Sequence, residues 1–491
     1  MNTSGCSADI SFKFGCVQTR HASLYEKTGK AETALRFQKE TGPALTARRS
    51  LNPTRILVLG FLIIIAVGSV LLMLPAATAS GKGAPPLTAL FTATSAACVT
   101  GLVVEDTLSY WSTFGHAVIL ALIQVGGIGF MTMTTLFSIL LGRKITMRER
   151  MVISKSLNVD DLSGIIRLTQ RVLLGTLVFE GAGAAVLSVV MARDYGVAGG
   201  IWRGVFHAVS AFCNAGFDLL GAEGGRYSLM HYAASPAVLV TVMALIVIGG
   251  LGFFVWGDII AAPRRRRLQL HTKLVLATSA VLTFAGAALF LAEEWANPAT
   301  MGAFPVWQKV LGALFQSVTT RTAGFDALGQ AGLTGPSQAV TMLLMFVGGS
   351  PGSTAGGLKT TTLAVLLLCA LTVVRGRREV SVFRERVSRT LVINAVALLI
   401  LMAATVFFGS FIIAAGEDVA YSAALYETIS AIATVGLSEG ITPSLGALSR
   451  LTLIVLMFFG RVGIVTFGYA ALARGENEPN IRYPEGRIMI G

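Results

Sequence analysis

The sequence predicts an all-α polytopic membrane protein with eight transmembrane helices and four short re-entrant half-helices, arranged as four pseudo-repeats. Of its 491 residues, 54% are hydrophobic and only 13% are charged, about half the charge of a soluble protein. Runs long enough to cross a bilayer recur along the chain. They lie at about 56–75, 114–141, 172–192, 237–262, 272–292, 338–374, 390–415 and 449–473.

The half-helices are predicted from what separates these runs. Between the first and second run of each pair lies a moderately apolar stretch of about a dozen residues, too short to cross a bilayer. It is also too apolar for a plain loop, so it predicts a re-entrant segment. The four units of span, half-helix, turn and span are placed at 55–142, 165–262, 268–375 and 388–474.

Basic residues predict the orientation. The segments 142–171, 263–273 and 375–389 are rich in Lys and Arg, whereas 416–446 contains neither. The formal charge of +13 would suit nucleic-acid binding in a soluble chain, but here cytoplasmic loops explain it. We therefore expect a lipid environment, no nucleic-acid partner and both termini in the cytoplasm. Residues 1–54 are predicted to form a partly disordered cytoplasmic arm, and 475–491 a cytoplasmic tail.

Four short stretches align on a glycine, and a second glycine-rich feature follows each of them after 24 to 33 residues. In three copies a serine lies six residues before the glycine and an aromatic residue ten before it. The third copy fits loosely, with Ser317 at seven and Phe315 at nine. The candidate turn residues are Cys98, Val99, Thr100 and Gly101; Asn214, Ala215 and Gly216; Thr322, Ala323 and Gly324; and Thr434, Val435 and Gly436.

Turns of this kind can hold a cation. The C-terminal end of a helix is partially negative, and glycine permits backbone angles that point carbonyl oxygens inward to replace the water around an ion. Glycines that merely allow tight helix packing would explain one such stretch, but not four in register. Acidic residues after the turns either concentrate cations at a pore mouth or are solvated loop acids. They are Glu105, Asp106, Asp218, Asp326 and Glu439.

The second spans of repeats 3 and 4 contain two further features. Five Gly and one Pro within ten residues predict a broken helix. A phosphate-binding loop is excluded because Leu358 separates Gly357 from Lys359 and no strand precedes them. Arg461 stands where the other repeats have glycine, either as a functional intramembrane cation or as the partner of a buried acid. The loop consists of Gly348, Gly349, Ser350, Pro351, Gly352, Ser353, Thr354, Ala355, Gly356 and Gly357.

Over about 55–475 these motifs resemble the Trk/Ktr/HKT superfamily of potassium transporters, and the polar arm favours a KtrB-type membrane subunit. The resemblance implies that the four turns form one potassium filter in a single chain, with potassium at the backbone carbonyl oxygens. Glycine at Gly101, Gly216, Gly324 and Gly436 implies potassium selectivity. The loop 348–357 would be an intramembrane gate, and Arg461 a barrier beneath the filter.

The resemblance also implies partners. We expect a homodimer in the cell membrane and a cytoplasmic ring of KtrA-type nucleotide-binding subunits. Any ATP, ADP or NAD(H) would bind that ring, because this chain contains no nucleotide motif. We expect no organic cofactor and no enzymatic chemistry in the chain itself.

A proton- or sodium-coupled secondary cation transporter stays open as an alternative. It would need intramembrane polar groups at a repeat interface. Glu180 in the third apolar run and Asn394 in the seventh are the candidates, and Glu180 has no counterpart in the other repeats. More often such residues form a hydrogen bond between helices.

Overall fold

The computed structural model describes residues 53–129, 165–221, 227–265, 267–377 and 379–463. Residues 1–52 of the expected N-terminal arm lie outside the described residues, as does the end of repeat 1 after residue 129. The end of repeat 4 and the expected tail 475–491 also lie outside them.

The first two repeats each contain a long helix, a shorter helix ending in a turn, and a further helix. The helices of repeat 1 are α1 (Pro53–Met73), α2 (Pro86–Cys98), the single turn α3 (Thr107–Tyr110) and α4 (Thr113–Ile128). The helices of repeat 2 are α5 (Ile165–Cys213), α6 (Pro236–Leu251) and α7 (Phe253–Arg265). At Gly196 a φ of 72° divides α5 into two arms, 165–195 and 197–213.

The last two repeats follow the same order, and a two-stranded antiparallel hairpin joins them. The elements of repeat 3 are α8 (Leu270–Glu294), α9 (Val306–Thr319), α10 (Gly335–Phe346) and α11 (Thr360–Val374). The hairpin pairs β1 (Ser381–Val382) with β2 (Glu385–Arg386). The elements of repeat 4 are α12 (Arg389–Gly416), α13 (Tyr421–Ile432) and α14 (Ala447–Val462).

Local sequence explains where several helices begin. The side chains of Ser112, Thr334 and Ser388 accept a backbone N–H in the first turn of α4, α10 and α12, which satisfies one of the free donors there. Proline occupies the first turn of α2 and α6, where its missing N–H costs nothing.

The four short helices (α2, the 197–213 arm of α5, α9 and α13) occupy the stretches expected to be re-entrant. An aromatic residue anchors each of them in the core. The four anchors, Phe91, Phe206, Phe315 and Tyr426, are all fully buried. Their recurrence in the sequence therefore reflects packing. A re-entrant course through a bilayer stays a prediction.

Several helices of the described residues are long and apolar enough to cross a membrane. They are α1, α5, α8 and α12, and the bent pair of α6 and α7 makes a fifth. The span predicted over 237–262 is bent, because α6 and α7 meet at 90° around Gly252, whose φ is 96°. Repeat 3 is broken between Phe346 and Thr360, as its glycines predict. The count of eight spans stays a prediction.

The second spans pack closely against the short helices at glycine residues. A Cβ added to Gly460 would overlap the carbonyl oxygen of Ile432, four residues before the glycine of the fourth turn. The equivalent pairs are Gly126 with Ala97 and Gly249 with Phe212. These glycines therefore serve close packing between helices.

We predict that Gly460→Ala lowers the free energy of unfolding by about 1–3 kcal/mol, because the added methyl group must push helix α14 away from α13. Thermal unfolding in detergent measures this change. Gly181→Ala is the matched control, since a Cβ there meets nothing within 4 Å and alanine favours a helix. Equal unfolding temperatures for the two variants would contradict the packing role.

Candidate functional site

Each short helix ends in a turn with the same unusual backbone. The first residue of each turn and the glycine two positions later both have a positive φ. The first residues are Val99, Asn214, Thr322 and Thr434, with φ of 58°, 59°, 68° and 52°. The glycines 101, 216, 324 and 436 have φ of 93°, 71°, 79° and 96°. A left-handed residue other than glycine costs about 1–3 kcal/mol and persists only where the surroundings impose it.

The four turns contact one another in chain order and close into a ring. A Cβ on Gly101 would lie 2.5 Å from the carbonyl oxygen of Ala215, and one on Gly216 would lie 2.9 Å from that of Ala323. The remaining contacts pair Gly324 with the Val435 carbonyl and Gly436 with the Thr100 carbonyl. Each turn therefore meets the next and the fourth meets the first, so the predicted turn residues surround one axis.

Hydroxyl groups fix two of the turns directly. Ser95 Oγ accepts the N–H of Gly101 at 3.1 Å, and Ser430 Oγ accepts the N–H of Gly436 at the same distance. The serine found six residues before the glycine in the sequence is thus a clamp on the glycine backbone in repeats 1 and 4.

In the other two turns the hydroxyl group binds the carbonyl of the residue that follows the glycine. Ser210 donates its hydroxyl hydrogen to the Phe217 carbonyl at 2.7 Å, and Thr319 donates to the Phe325 carbonyl at 2.6 Å. The expectation that Ser317 is the third copy of this serine is wrong, because Ser317 donates to a carbonyl of helix α8. Sequence alignment missed Thr319, which lies five residues before its glycine.

The ring offers oxygen atoms to a cation. Besides the carbonyl groups, three buried side-chain oxygen atoms of the turns make no hydrogen bond within the described part of the chain. They are Thr100 Oγ1, Asn214 Oδ1 and Thr434 Oγ1. Oxygen is the ligand type that hard cations prefer, so the donor set fits an alkali ion.

The loop 348–357 packs against the residues that begin the third and fourth turns. A Cβ on Gly356 would overlap Thr434 Oγ1, and one on Gly348 would lie 3.0 Å from the Thr322 methyl group. A side chain at either glycine would therefore displace the loop from the ring.

Hydrogen bonds hold this loop in place from two directions. The Ser350 N–H donates to a carbonyl at the end of α6 at 3.0 Å, and the Phe253 N–H donates to the Gly352 carbonyl at 2.8 Å. The Lys359 ammonium donates at 2.7 Å to the carbonyl of Ala355 within the loop. Helices α6 and α7 of repeat 2 and Lys359, just after the loop, therefore hold the loop in place.

Arg461 joins the loop to repeat 1. Its guanidinium donates to the carbonyls of Thr354 and Gly126, and at 3.0 Å to that of Gly127. The last two carbonyls lie at the C-terminal end of α4, which is partially negative. The alternative of a buried acidic partner is wrong for the described residues, where these carbonyls are its acceptors.

Arg321 is a second arginine that the sequence analysis did not single out. It directly precedes the third turn, and its guanidinium donates to the Ser279 carbonyl, the Ser279 hydroxyl and the Thr283 hydroxyl of α8. The signal was available, because the equivalent positions in the other repeats are Cys98, Cys213 and Ala433. Arg321 anchors the end of α9 to the preceding span.

Three of the five acidic residues after the turns cap the loop backbone. Asp106, Asp218 and Asp326 each accept backbone N–H groups from residues two to four positions later. Burial raises the pKa of Asp218 to about 6. Glu105 and Glu439 remain candidates for a cation-attracting mouth, and burial raises the pKa of Glu439.

Of the polar residues of the alternative mechanism, Glu180 lies beside the start of the second turn and Asn394 lies on the surface. Glu180 accepts the side-chain N–H of Gln124 on α4 at 3.0 Å and the Cys213 thiol at 3.8 Å, which is an interhelical hydrogen bond. Asn394 is exposed on α12.

Comparisons with known proteins show the family to which the chain is related. The sequence model of the TrkH family, described as a cation transport protein, matches residues 30–478. The potassium/sodium uptake protein NtpJ of Enterococcus hirae is 38% identical over 449 residues, which cover 90% of this chain and 98% of that protein. The Ktr system potassium uptake protein B of Bacillus subtilis is 38% identical over 440 residues, covering 90% and 97%.

A solved structure has the same fold. The potassium transporter TrkH from Vibrio parahaemolyticus superposes with a TM-score of 0.68 and covers 88% of this chain and 87% of that one. At 18% identity this likeness concerns the fold alone.

If the ring binds potassium, the protein unfolds at a higher temperature in KCl than in NaCl. We predict that Thr319→Val, which removes the hydrogen bond to the Phe325 carbonyl beyond the third turn, reduces this temperature difference. One hydrogen bond of this kind is worth about 1 kcal/mol. Ser317→Ala is the control, because it loosens α9 from α8 and should lower stability equally in both salts. A larger change in the salt difference for Ser317→Ala would contradict the assignment.

Proposed function

Because the chain belongs to the TrkH family of cation transport proteins, we propose that it is the potassium-selective, ion-translocating membrane subunit of a Trk/Ktr-type potassium uptake system. The ring of four turns from one chain carries the proposal. Inward carbonyl oxygens at such a ring replace the hydration shell of a bound ion. Membership of this family makes the chain a multi-pass membrane protein for cation transport rather than an enzyme.

In this proposal transport is channel-like and the loop 348–357 is the gate. The proposal places this loop across the axis below the ring, and the support is its contact with Thr434 and Thr322, which begin two of the four turns. Several hydrogen bonds hold it, each worth about 1 kcal/mol, or about 1.5–3 kcal/mol where Lys359 or Arg461 donates. A partner would open it by favouring the displaced loop by more than their sum.

We further propose a homodimer in the cell membrane, with one pore in each protomer and both termini in the cytoplasm. A KtrA-type ring that binds ATP, ADP or NAD(H) would dock on the basic cytoplasmic segments. The support is the relative named as part of a Ktr system together with the basic loops. Nucleotide control would then act through the gate loop.

A proteoliposome flux assay tests the proposed function against the coupled carrier. Wild-type protein should carry potassium faster than sodium, with a reversal potential that follows the potassium gradient alone. A reversal potential that shifts with an imposed proton or sodium gradient would favour the coupled carrier. The hydrogen-bonded state of Glu180 favours the channel.

We predict that Gly101→Ser lowers the potassium/sodium flux ratio, because its Cβ would lie 2.5 Å from the Ala215 carbonyl oxygen and disturb the ring. Gly440→Ser is the matched control. Gly440 has a similar φ of 92°, but a Cβ there meets nothing within 4 Å. If Gly101→Ser keeps the wild-type ratio, or if Gly440→Ser loses it equally, the ring does not determine selectivity.

We predict that Arg461→Gln raises the maximal potassium flux per folded molecule. A fixed cation about 4 Å from a passing ion opposes it by about 4 kcal/mol at an effective dielectric constant of about 20. Arg461→Lys keeps the charge and should change the flux less. Arg450→Gln, at the opposite end of the same helix, is the control. Normal membrane yield with unchanged flux in Arg461→Gln would exclude the barrier.

A further inference from the structure

Each short helix carries a buried polar residue directly after its buried aromatic anchor. The position lies nine residues before the turn glycine in repeats 1, 2 and 4, and eight before it in repeat 3. The four residues are Thr92, His207, Gln316 and Glu427, with 3%, 0%, 0% and 0% of their surface exposed. Burying a polar group costs free energy unless it is hydrogen-bonded, so the partners of these side chains show their role.

Three of the four residues bind the loop that follows their own turn. The pairs are His207 with the N–H of Leu219, Gln316 with the amide of Gln330, and Glu427 with the hydroxyls of Ser438 and Thr442. In these repeats one side chain of the short helix therefore ties down the chain on the far side of the turn.

The Glu427 contact is the most constrained of the three. Ser438 donates to Glu427 Oε1 at 2.5 Å, and Thr442 donates to Oε2 at 2.7 Å. Both carboxylate oxygens are thus engaged, and hydrogen bonds to a carboxylate are about twice as strong as those between neutral groups. Only Leu437 separates Ser438 from Gly436 of the ring.

Tyr426, the residue before Glu427, binds the loop that follows the third turn in the same way. The Tyr426 hydroxyl donates to Gln330 Oε1 at 3.0 Å, and Gln330 Nε2 donates to Asp326 at 2.7 Å. Neighbouring side chains of α13 thus hold the loops that follow the third and fourth turns.

We propose that Glu427 is a positioning residue for potassium selectivity, which holds the turn 434–436 in register with the ring through Ser438 and Thr442. The inference rests on the proposed function, because it requires the ring to be the filter. It goes beyond that function by locating selectivity in a side chain behind the ring as well as in the ring backbone. A direct effect of the Glu427 charge on ions would not require the two hydroxyls.

The test compares potassium/sodium permeability ratios of single, double and triple variants in proteoliposomes. Glu427→Gln should lower the ratio about tenfold, the size expected for a lost charge-assisted hydrogen bond. The double variant Ser438→Ala with Thr442→Val should cause a similar drop. Adding Glu427→Gln to it should cause no further drop, because residues that act through one contact are not additive.

Glu417→Gln is the matched control for removing a carboxylate. Glu417 accepts the N–H of Gly446 and the hydroxyl of Ser449, both at 2.7 Å, but it lies at the end of α12. The Ser449 hydroxyl and the Gly446 N–H hold the pKa of Glu417 below its usual range. The control should lower thermal stability and leave the permeability ratio unchanged.

The outcomes separate this inference from the proposed function. A wild-type protein that does not distinguish potassium from sodium would contradict the proposed function itself. Wild-type selectivity with an unchanged ratio in Glu427→Gln would overturn the inference alone. A drop in the ratio for Glu427→Gln without one in the hydroxyl variants would assign the effect to the charge of Glu427 and overturn the positioning role.

If Glu427→Gln does not fold, Ser438→Ala alone, which keeps the Thr442 bond, should lower the ratio about threefold, and an unchanged ratio would overturn the inference.

Discussion

Four glycines, one from each repeat, approach one another so closely that a methyl group on any of them would overlap the carbonyl oxygen of the next turn. This close approach requires glycine at four positions and a left-handed residue two positions before each, a conformation that costs free energy. Much of the surrounding structure compensates for that cost. The buried aromatic anchors fix the four short helices, and the hydroxyls of Ser95 and Ser430 fix the glycine backbone.

The same constraint explains the bend in the second span of repeat 2 and the break in that of repeat 3. To support the ring, these helices must contact the ends of the short helices through glycine, and glycine-rich helices end readily. The bend lies at Gly252 and the break follows Phe346, and positive-φ glycines, 129 and 463, also directly follow α4 and α14. The breaks free backbone groups that then bind one another across repeats. Arg461 and the loop 348–357 are part of this second layer of contacts.

Much of this arrangement could be predicted from the sequence, because glycine and serine at fixed spacing report backbone requirements directly. The turns, the broken third repeat and the unusual position of Arg461 followed from such spacing. The role of Thr319 did not, because one residue of offset in repeat 3 places Ser317 on the α8 side of its helix. The bend between α6 and α7 could not be predicted, because an apolar composition does not show whether a helix stays straight or changes direction. The role of the acidic residues after the turns could not be predicted, because capping a backbone and attracting a cation both use Asp and Glu.

The central claim is that one ion site lies on the axis between the four turns of a single chain. Anomalous scattering from crystals grown with thallium or rubidium as a potassium substitute tests it most directly. The account predicts density on the axis beside Gly101, Gly216, Gly324 and Gly436, and its loss when sodium replaces the heavier ion. Density beside Glu180 and Gln124, with none on the axis, would contradict it.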